Sequence, residues 1–436
     1  MTSSIAIETC LVCQGTELEL ILDLGSQPLS SVFPQENEAD PVSSPLKLMR
    51  CGSKNANSKA QDCGHVQLSH QASFEEMYGL NYGYNSSLSP MMIEHLEFIF
   101  DRIQSHIKID ENSVIIDIGC NDGSFLKMFE SRTQNLFGAD PSSVRFLDMM
   151  PKSVQVVPEF FPTPVLDELL KKRKASVISS IAMFYDLLDP TAFTNAVFNR
   201  LAEDGIWVVE LAELNEFLKN LSYDQICHEH LLYIDNEHMV KMAKSAGFTL
   251  IDITYSEING GSACYYFARK KFAGKSLPTT RVSRHQLLQM ARRVNQNRLE
   301  VISFFSEMKA KEARVFGYGA STKGNMLGNY YKLDRLQVEA ISDINSFKWG
   351  RVTPGTRIPI VSHEEMRISK PDYLFCFIWH LRYEVLKDER EFIEQGGKIV
   401  FPLPRLHIVD KSNYDLYATH HLNDLAFDTS SRELTL

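Results

Sequence analysis

The sequence has no long hydrophobic run and no excess of basic residues, and each absence excludes a class of protein. No stretch of about 18 apolar residues occurs, so no transmembrane helix is expected. The N-terminal MTSSIAIETC lacks the basic and apolar regions of a signal peptide. A formal net charge of −10 argues against a nucleic-acid partner, which would call for a basic face. We therefore expect a cytoplasmic protein with neither a membrane nor a nucleic-acid partner, as a monomer or a small homo-oligomer.

Cysteine is sparse, with eight residues in 436. Without an export signal, these thiols are expected to be reduced or to bind a metal rather than to form disulfides. Cys10 and Cys13 form a C-x2-C knuckle, and Cys51 and Cys63 can complete a set of four thiolates. Four soft thiolates suit zinc in a structural site. Because the second pair is spaced C-x11-C instead of C-x2-C, unligated thiols are the alternative.

The length and the apolar pattern predict several α/β domains. A chain of 436 residues is too long for one ordinary core. The predicted strands of the middle segment are Val114–Ile118, Leu136–Ala139, Ser176–Ser180, Gly205–Glu210 and Ala263–Phe267. The predicted helices are Ser124–Glu130, Val165–Lys172, Pro190–Leu201 and Asn236–Ala246, with a further helical stretch at Arg284–Lys311. This alternation predicts a doubly wound parallel sheet with ligands at the carboxyl ends of its strands.

The most informative stretch is VIIDIGCNDGSFL, at residues 114–126. A β-branched run leads into a glycine-rich turn at 119–123, and glycines let the backbone come close to a ligand. The next apolar segment ends in Asp140, where a carboxylate can accept hydrogen bonds from both hydroxyls of a ribose. In its D-x-G-x-N-x-G form the turn resembles the S-adenosylmethionine (SAM) loop of class I methyltransferases, not the G-x-G-x-x-G loop of dehydrogenases. A glycine turn in some other α/β protein is the alternative.

A cluster of ionisable residues follows the strand that ends at Glu210. His228, Glu229 and His230 are consecutive, and in an extended segment the two histidines would share one face. A histidine with a pKa of about 6.5 suits the removal of a proton at neutral pH. A metal site lacks a third ligand at convincing spacing, and without H-E-x-x-H a zinc-protease helix is excluded. From the motif alone, structural histidines remain the alternative.

A second glycine-rich turn occurs in GYGASTKGN, at residues 317–325. Backbone amides, two hydroxyls and the ammonium of Lys323 at a helix N-terminus suit a phosphate or diphosphate. The spacing is not that of a Walker loop, so nucleotide hydrolysis is not expected. Further strand-like runs are predicted at Val338–Asp343, Pro354–Ile360, Tyr373–Phe377 and Lys398–Phe401. The alternative is a degenerate Rossmann fold that is kept for packing.

The order of motifs along nearly the whole chain resembles that of the nucleotide-sugar C-methyltransferases. After the cysteine knuckle, the motifs are DLGSQPLSSVF (23–33), CGHVQL (63–68), YNSS (84–87), DIGCNDGSF (117–125), CHEH (227–230), NGGS (259–262) and GYGASTKGN (317–325). The resemblance implies a zinc-binding module at 1–80, a SAM-dependent methyltransferase domain at 81–275, a helical connector at 276–310, a Rossmann-like nucleotide-sugar-binding domain at 311–415 and a C-terminal tail at 416–436. It implies an α/β fold throughout, with SAM and structural zinc as cofactors.

The implied activity is methyl transfer from SAM to C-3 of a nucleotide-linked 4-keto-6-deoxy sugar. His230 matches the family's proposed base, and Glu229 and His228 would orient it or stabilise the enolate, with Tyr223 as a further candidate. The expected cofactor contacts are Tyr84, Ser87, Asp117, Gly119, Asn121, Gly123, Asp140, Phe160 and Ser180. The expected substrate contacts are Tyr185, Tyr318, Ser321, Lys323, Asp343 and His380. The expected zinc ligands are Cys10, Cys13, Cys51 and Cys63.

Two departures from the family pattern affect the substrate and not the cofactor. Cys227 stands where the family often has a tyrosine, and Tyr185 stands about where a histidine is often found. Tyr223 or Tyr233 could replace the missing phenol. A SAM-dependent O- or N-methyltransferase acting on a nucleotide-sugar or related glycan precursor is therefore a second hypothesis, and a non-catalytic nucleotide-sugar- or SAM-binding protein is a third.

Overall fold

The computed structural model describes residues 4–52, 63–73, 77, 87, 90–148, 150–269 and 279–420. The chain forms two compact units: one comprises residues 1–33 and 39–293, and the other comprises 34–38 and 294–436. The four domain boundaries expected from the sequence, after residues 80, 275, 310 and 415, stay predictions. In the described part of the chain, no helix combines the length and the apolar character needed to cross a bilayer.

The first unit contains an N-terminal antiparallel sheet and a small two-stranded sheet. The strands are β1 (Ile5–Ala6), β2 (Leu18–Pro28), β3 (Ser43–Cys51), β4 (Val66–Leu68), β5 (His70–Gln71) and β11 (Leu232–Tyr233). The four-stranded sheet has the order β11-β4-β3-β2, and β1 pairs with β5. Because β11 comes from residues immediately after the C-H-E-H motif, this motif is attached directly to the sheet of the cysteine-containing segment.

The centre of the first unit is a seven-stranded sheet. Its strands are β6 (Ile115–Ile118), β7 (Leu136–Ala139), β8 (Val154–Val157), β9 (Ala175–Ile181), β10 (Leu201–Ala212), β12 (Thr249–Ser256) and β13 (Ser262–Ala268). The order is β12-β13-β10-β9-β6-β7-β8, and only β13 runs antiparallel to its neighbours. If the seven strands are renumbered 1 to 7 along the chain from β6, their order across the sheet is 3-2-1-4-5-7-6. The seventh strand is the antiparallel one. This is the class I methyltransferase sheet, as expected from the sequence.

Helices flank this sheet and bury apolar side chains against it. The helices of residues 90–293 are Pro90–His106, Ser124–Lys127, Pro164–Leu170, Pro190–Arg200, Leu214–Asn220 and Asn236–Ser245, with short 3-10 helices at Pro141–Phe146, Phe184–Asp186, Tyr223–Gln225 and Ile258–Gly260. A buried cluster joins Ile99 and Ile103 of the first helix to Ile115 and Val208 of the sheet. The first helix thereby packs across the strands whose carboxyl ends form the predicted cofactor loop.

The second unit contains a six-stranded sheet. Its strands are β14 (Val315–Tyr318), β15 (Ile341–Ser342), β16 (Ile360–Val361), β17 (Tyr373–Cys376), β18 (Lys398–Phe401) and β19 (His407–Val409), in the order β16-β15-β14-β17-β18-β19. All pairs are parallel except β18 with β19. The helices are Arg284–Ala310, which begins in the first unit, Thr322–Tyr331, His363–Ser369, Arg382–Asp388, Arg390–Glu394 and Tyr414–Thr419, with 3-10 helices at Ser346–Lys348 and Trp379–Leu381. The unit is a Rossmann-like α/β sheet.

One strand prediction in the second unit is largely wrong. The run Pro354–Ile360 forms a loop, and only Ile360 and Val361 are paired as a strand. Thr356 N–H donates to the carbonyl of Pro354, and Pro359 has no N–H to donate to a ladder. The apolar composition of this run therefore reflects buried loop residues and not a long strand.

Candidate active site

The glycine-rich turn after β6 has the backbone geometry expected of a ligand loop. Gly119 has φ +80° and Asn121 has φ +49°, both in the left-handed region. A Cβ at Gly119 would lie 3.0 Å from Cγ of Met183, which lines the same cavity. Glycine is therefore required at 119 both by the backbone angle and by the close side chain.

Asp140 closes the turn from the carboxyl end of β7. Its Oδ2 accepts a hydrogen bond from the backbone N–H of Asn121 at 2.8 Å, and its Oδ1 accepts one from Ser142 N–H at 2.7 Å. An ionised carboxylate has about four acceptor sites, so each oxygen can accept a further hydrogen bond. The side chain is thus fixed in place, with acceptor capacity left for the two hydroxyls of a ribose.

Asp117 is the second buried carboxyl of the site. Its Oδ1 accepts a 2.6 Å hydrogen bond from the hydroxyl of Ser179 on the neighbouring strand β9. Burial raises the pKa of Asp117 to about 7, with smaller contributions from the nearby charges of Asp140 and Asp122. A cationic ligand in this cavity would favour the ionised form of Asp117.

These loops enclose a cavity of about 380 Å³. It is lined by Met92, Leu96, Asp117, Ile118, Gly119, Cys120, Asn121, Asp122, Ser124, Phe125, Ala139, Asp140, Pro141, Ser142, Phe160, Phe161, Ile181, Ala182, Met183, Asp186, Leu187, Leu188, Glu210, Ile258 and Asn259. Among the residues that the structure describes, the lining contains several carboxyl groups and no lysine, arginine or histidine. An apolar cavity with acidic groups at strand ends suits a ligand that carries positive charge and a ribose.

The structure places most of the predicted cofactor residues on this cavity. Asp117, Gly119, Asn121, Asp140 and Phe160 line it, and the ring of Phe160 is 57% exposed, which leaves a face for a flat adenine.

The other four predicted cofactor residues are not among the described residues of this lining. Ser180 is buried in β9 and accepts a hydrogen bond from Nε1 of Trp207 at 3.2 Å, away from the lining, so we withdraw it as a cofactor contact. Gly123 lies outside the lining but begins the helix Ser124–Lys127. Ser87 donates its N–H to Asp122 at 2.9 Å, which ties its segment to the loop, and Tyr84 lies outside the described residues.

A buried hydrogen-bonded contact at the cavity wall was not predicted from the sequence. Oε2 of Glu210, at the carboxyl end of β10, lies 2.7 Å from Nε2 of His95 on the helix Pro90–His106, and both side chains are buried. The predicted strand end at Glu210 was a usable signal, because the carboxyl ends of parallel strands meet at the ligand edge. His95 carried no such signal, since its contact spans 115 positions of sequence.

The C-H-E-H motif forms a turn and not an extended segment. His230 N–H donates to the carbonyl of Cys227 at 3.2 Å, so His228 and His230 do not share one face. The ring of His230 is half-buried and lies with its centroid 4.1 Å from that of Tyr185. Tyr185 is followed directly by Asp186, which lines the cavity. His230 is therefore packed on Tyr185, whose neighbour in sequence lines the cavity.

His228 points to the N-terminal sheet instead. Its Nε2 lies 3.2 Å from the carbonyl of Ser44, and Ser44 is paired with Gln27 across strands β3 and β2. Burial lowers the pKa of His228 to about 4, so the ring is neutral at neutral pH. We therefore withdraw a direct part for His228 in proton transfer and assign it to holding the loop.

Glu229 and the two candidate tyrosines are buried. Burial raises the pKa of Glu229, which lies beside Ser31 and Cys227. Tyr223 is fully buried at the start of its 3-10 helix, and the hydroxyl of Tyr233 donates to the carbonyl of Gln225 at 3.1 Å. The phenol of Tyr233 thus braces the loop from inside and is not offered to a ligand.

The four predicted zinc ligands come together. All four sulfur atoms lie within 4.8 Å of one another, with Cys10 and Cys63 at 3.5 Å and Cys13 and Cys51 at 3.5 Å. Four thiolates about 2.3 Å from a tetrahedral zinc ion would lie roughly 3.8 Å apart, so the set fits this metal. With four protein ligands no position remains for a substrate, which makes the site structural.

Comparison with known proteins identifies the type of enzyme. Three family models match in succession: a zinc-binding domain at residues 10–78, a methyltransferase domain at 91–253 and a C-methyltransferase C-terminal domain at 257–404. The C-methyltransferase NovU of Streptomyces niveus is 26% identical over 417 residues, which cover 92% of this chain and 97% of that protein. The chain therefore has the three domains that these models describe. It is a SAM-dependent C-methyltransferase with a structural zinc site.

Solved structures matched by this C-methyltransferase resemble it over less than half of its length. A SAM-dependent methyltransferase from Clostridium acetobutylicum has 11% identity and a TM-score of 0.32, covering 40% of this chain and 91% of that one. The N-methyltransferase NodS from Bradyrhizobium japonicum, bound to S-adenosylhomocysteine (SAH), has 13% identity and a TM-score of 0.31, covering 41% and 87%. The fold assignment rests on the strand order described above.

In the second unit of the C-methyltransferase, the glycine-rich turn begins a helix but one predicted residue is turned inward. Oγ of Ser321 accepts from Gly324 N–H at 2.9 Å and so caps the helix Thr322–Tyr331. The hydroxyl of Tyr318 is buried and donates to Glu389 at 3.2 Å. We therefore withdraw Tyr318 as a substrate contact and retain Ser321 and the adjoining Lys323.

Lys323, Asp343 and His380 stand at the carboxyl ends of three neighbouring strands. Burial, and then the nearby charge of Lys323, hold the pKa of His380 well below its usual range. Asp343 forms an ion pair with Lys348 at 3.1 Å, and Nζ of Lys348 also donates to the carbonyl of Ala320 at 2.7 Å. Asp343 stands where a dehydrogenase has the carboxylate that binds a ribose. Here this carboxylate is instead paired with Lys348.

Proposed function

We propose that this C-methyltransferase transfers the methyl group of SAM to C-3 of a nucleotide-linked 4-keto-6-deoxy sugar. The observation that carries the proposal is the position of His230, whose ring lies 4.1 Å from Tyr185, the neighbour of the cavity residue Asp186. This contact connects the base to the segment that contributes Asp186 to the donor cavity. NovU is a C-methyltransferase, and a carbon acceptor needs such a base.

The chemistry requires a carbon acid, and a ketone supplies it. The carbonyl at C-4 acidifies the C-3 proton, which His230 removes as general base. The electron pair of the C–H bond becomes an enolate, and C-3 forms a bond to the methyl carbon while the bond between sulfur and methyl breaks. The sulfur keeps that electron pair, which gives SAH, and the proton remains on His230 until solvent takes it. General-base help of this kind contributes about 10²–10⁴ in rate.

Glu229 is suited to stabilise the enolate oxygen. Burial raises its pKa and so favours the protonated carboxyl, which is the form that can donate a hydrogen bond to a developing oxyanion. This role replaces the phenol that the family often has at the position of Cys227.

The second unit is proposed to hold the nucleotide-linked diphosphate. Ser321 caps a ten-residue helix whose N-terminus also carries Lys323, and His380 lies close enough for the lysine charge to affect its pKa. A helix N-terminus with an ammonium group favours phosphate oxygens. Because Asp343 is paired with Lys348, a dinucleotide ribose is not favoured there.

The test is mass spectrometry of the protein with SAM and a panel of 4-keto-6-deoxy sugar nucleotides. The proposal predicts that one member gains one CH2 while SAH accumulates in equal amount. The same nucleotides with the 4-ketone reduced should remain unmodified, because their C-3 proton is no longer acidic. Methylation of the reduced sugars would favour transfer to oxygen or nitrogen and would contradict the proposal.

A further inference from the structure

The side chain of Gln67 connects the metal-binding knuckle to the sheet that carries the catalytic loop. Its Nε2 donates to the carbonyl of Thr9 at 3.1 Å, and its Oε1 accepts from the N–H of Leu11 at 2.8 Å. Thr9 and Leu11 are the two neighbours of Cys10. Gln67 is fully buried, so both ends of its amide are used in a place where water does not compete.

The backbone of Gln67 faces the segment that follows His230. In the antiparallel pair of β4 and β11, Gln67 lies opposite Leu232. Leu68 N–H donates to the carbonyl of Leu231 at 2.9 Å, and Leu231 is the residue directly after His230. Strand β11 has only two residues, so few contacts of its own fix the register at which the catalytic turn ends.

A second connection runs from the metal site to the other end of β11. The carbonyl of Cys63 accepts from Nε2 of His238 at 2.7 Å, and Nδ1 of His238 lies 2.6 Å from Oδ1 of Asp235. Asp235, two positions after the end of β11, caps the helix Asn236–Ser245. The four-cysteine site is therefore connected, through Gln67 and through His238, to the chain on both sides of this two-residue strand.

We propose that Gln67 is a positioning residue for methyl transfer: it transmits the fixed geometry of the four-cysteine site to His230 through strands β4 and β11. The donor cavity is built from β6, β7, β9 and β10 and does not use these contacts. Loss of Gln67 should therefore impair proton removal and leave SAM binding intact. The inference rests on the proposed function, since proton removal from C-3 is the step that His230 is proposed to perform.

The test uses full-length Gln67→Leu, which keeps the approximate size of the side chain and removes both hydrogen bonds. Proton removal is measured alone, as exchange of the C-3 proton with D2O in the presence of SAH, where no methyl is available. Exchange and methyl transfer should both fall by at least about tenfold, because misplacement by about 1 Å can cost about 100-fold in rate. SAM affinity by calorimetry should stay within about twofold, and the zinc content should stay at one ion per chain because all four thiolates remain.

The matched control is Gln155→Leu, at an exposed position of β8. It should leave exchange, transfer and SAM affinity unchanged. Wild-type exchange rates in Gln67→Leu would overturn the inference, and so would a parallel loss of SAM affinity, because the effect would then not be confined to the base. If the wild-type protein itself shows no exchange, the proposed function fails. The transfer rate and the SAM affinity of Gln67→Leu, compared with those of the wild-type protein, then decide whether Gln67 positions the turn at 227–230.

Discussion

Asp140→Asn should weaken the binding of SAM and SAH by the same large factor. Each carboxylate oxygen of Asp140 already accepts one backbone N–H, from Asn121 at 2.8 Å and from Ser142 at 2.7 Å. An asparagine can satisfy only one of these donors with its carbonyl, and its NH2 group must face the other. The variant therefore loses acceptor capacity for the ribose and introduces a donor opposite a donor.

The expected magnitude follows from the two hydrogen bonds proposed to reach the ribose. Hydrogen bonds to a charged group contribute about 1.5–3 kcal/mol each, so losing two costs about 3–6 kcal/mol. That corresponds to about 10²–10⁴-fold in Kd. Because SAM and SAH share the ribose, the ratio of their Kd values should not change.

Isothermal calorimetry of both ligands provides the assay. Asp148→Asn is the matched control, since Asp148 is exposed and lies eight positions further along the same segment. It should bind both ligands as the wild-type protein does. The reasoning about the ribose is refuted if folded Asp140→Asn binds SAM within about threefold of wild type, or if only the SAM affinity falls.

Three further perturbations test other parts of the site. His230→Gln should lower single-turnover methyl transfer by about 10²–10⁴-fold with SAM affinity retained; transfer at the wild-type rate would exclude His230 as the base. Burial raises the pKa of Asp117 to about 7, so the stability that this carboxyl contributes is present at low pH and is lost as the pH rises through about 7. The cationic donor favours the ionised form of Asp117, so SAM affinity should rise by up to about tenfold per pH unit below pH 7 and level off above it. Asp117→Asn should flatten this profile. A flat profile for the wild-type protein would contradict the expectation. Cys13→Ser removes one of four thiolates and should lower both the zinc content and the Tm, whereas unchanged metal content would show that the four cysteines are not the ligand set.

Five strands of the seven-stranded sheet were predictable because they are marked locally, whereas β8 and β12 were not predicted. Strand β7 has the predicted bounds Leu136–Ala139, since a short apolar run is bounded by polar residues on both sides. Strand β8, Val154–Val157, was missed because it is short and partly exposed and lies at the sheet edge. The SAM loop was found because Gly119 needs a left-handed backbone, which restricts the residue type.

The turn of the C-H-E-H motif at residues 227–230 was less predictable, because its geometry depends on partners far away in the sequence. The turn at 227–230 is held by β11 pairing with β4, about 165 positions earlier in the chain, and by His228 against Ser44. No local pattern marks these contacts, so an extended segment was as natural an expectation as a turn. The contact between Glu210 and His95 could not be predicted either, because no local pattern marks a contact that spans 115 positions.

The central claim is that a SAM methyl group becomes bonded to carbon. The most direct measurement is carbon NMR of the product formed from SAM with a ¹³C-labelled methyl group and a 4-keto-6-deoxy sugar nucleotide. We expect the labelled methyl to be coupled to C-3, with the C-3 proton gone and SAH formed in equal amount. A labelled methyl bonded to oxygen or nitrogen, or no transfer by folded protein that binds SAM and the sugar nucleotide, would contradict the account.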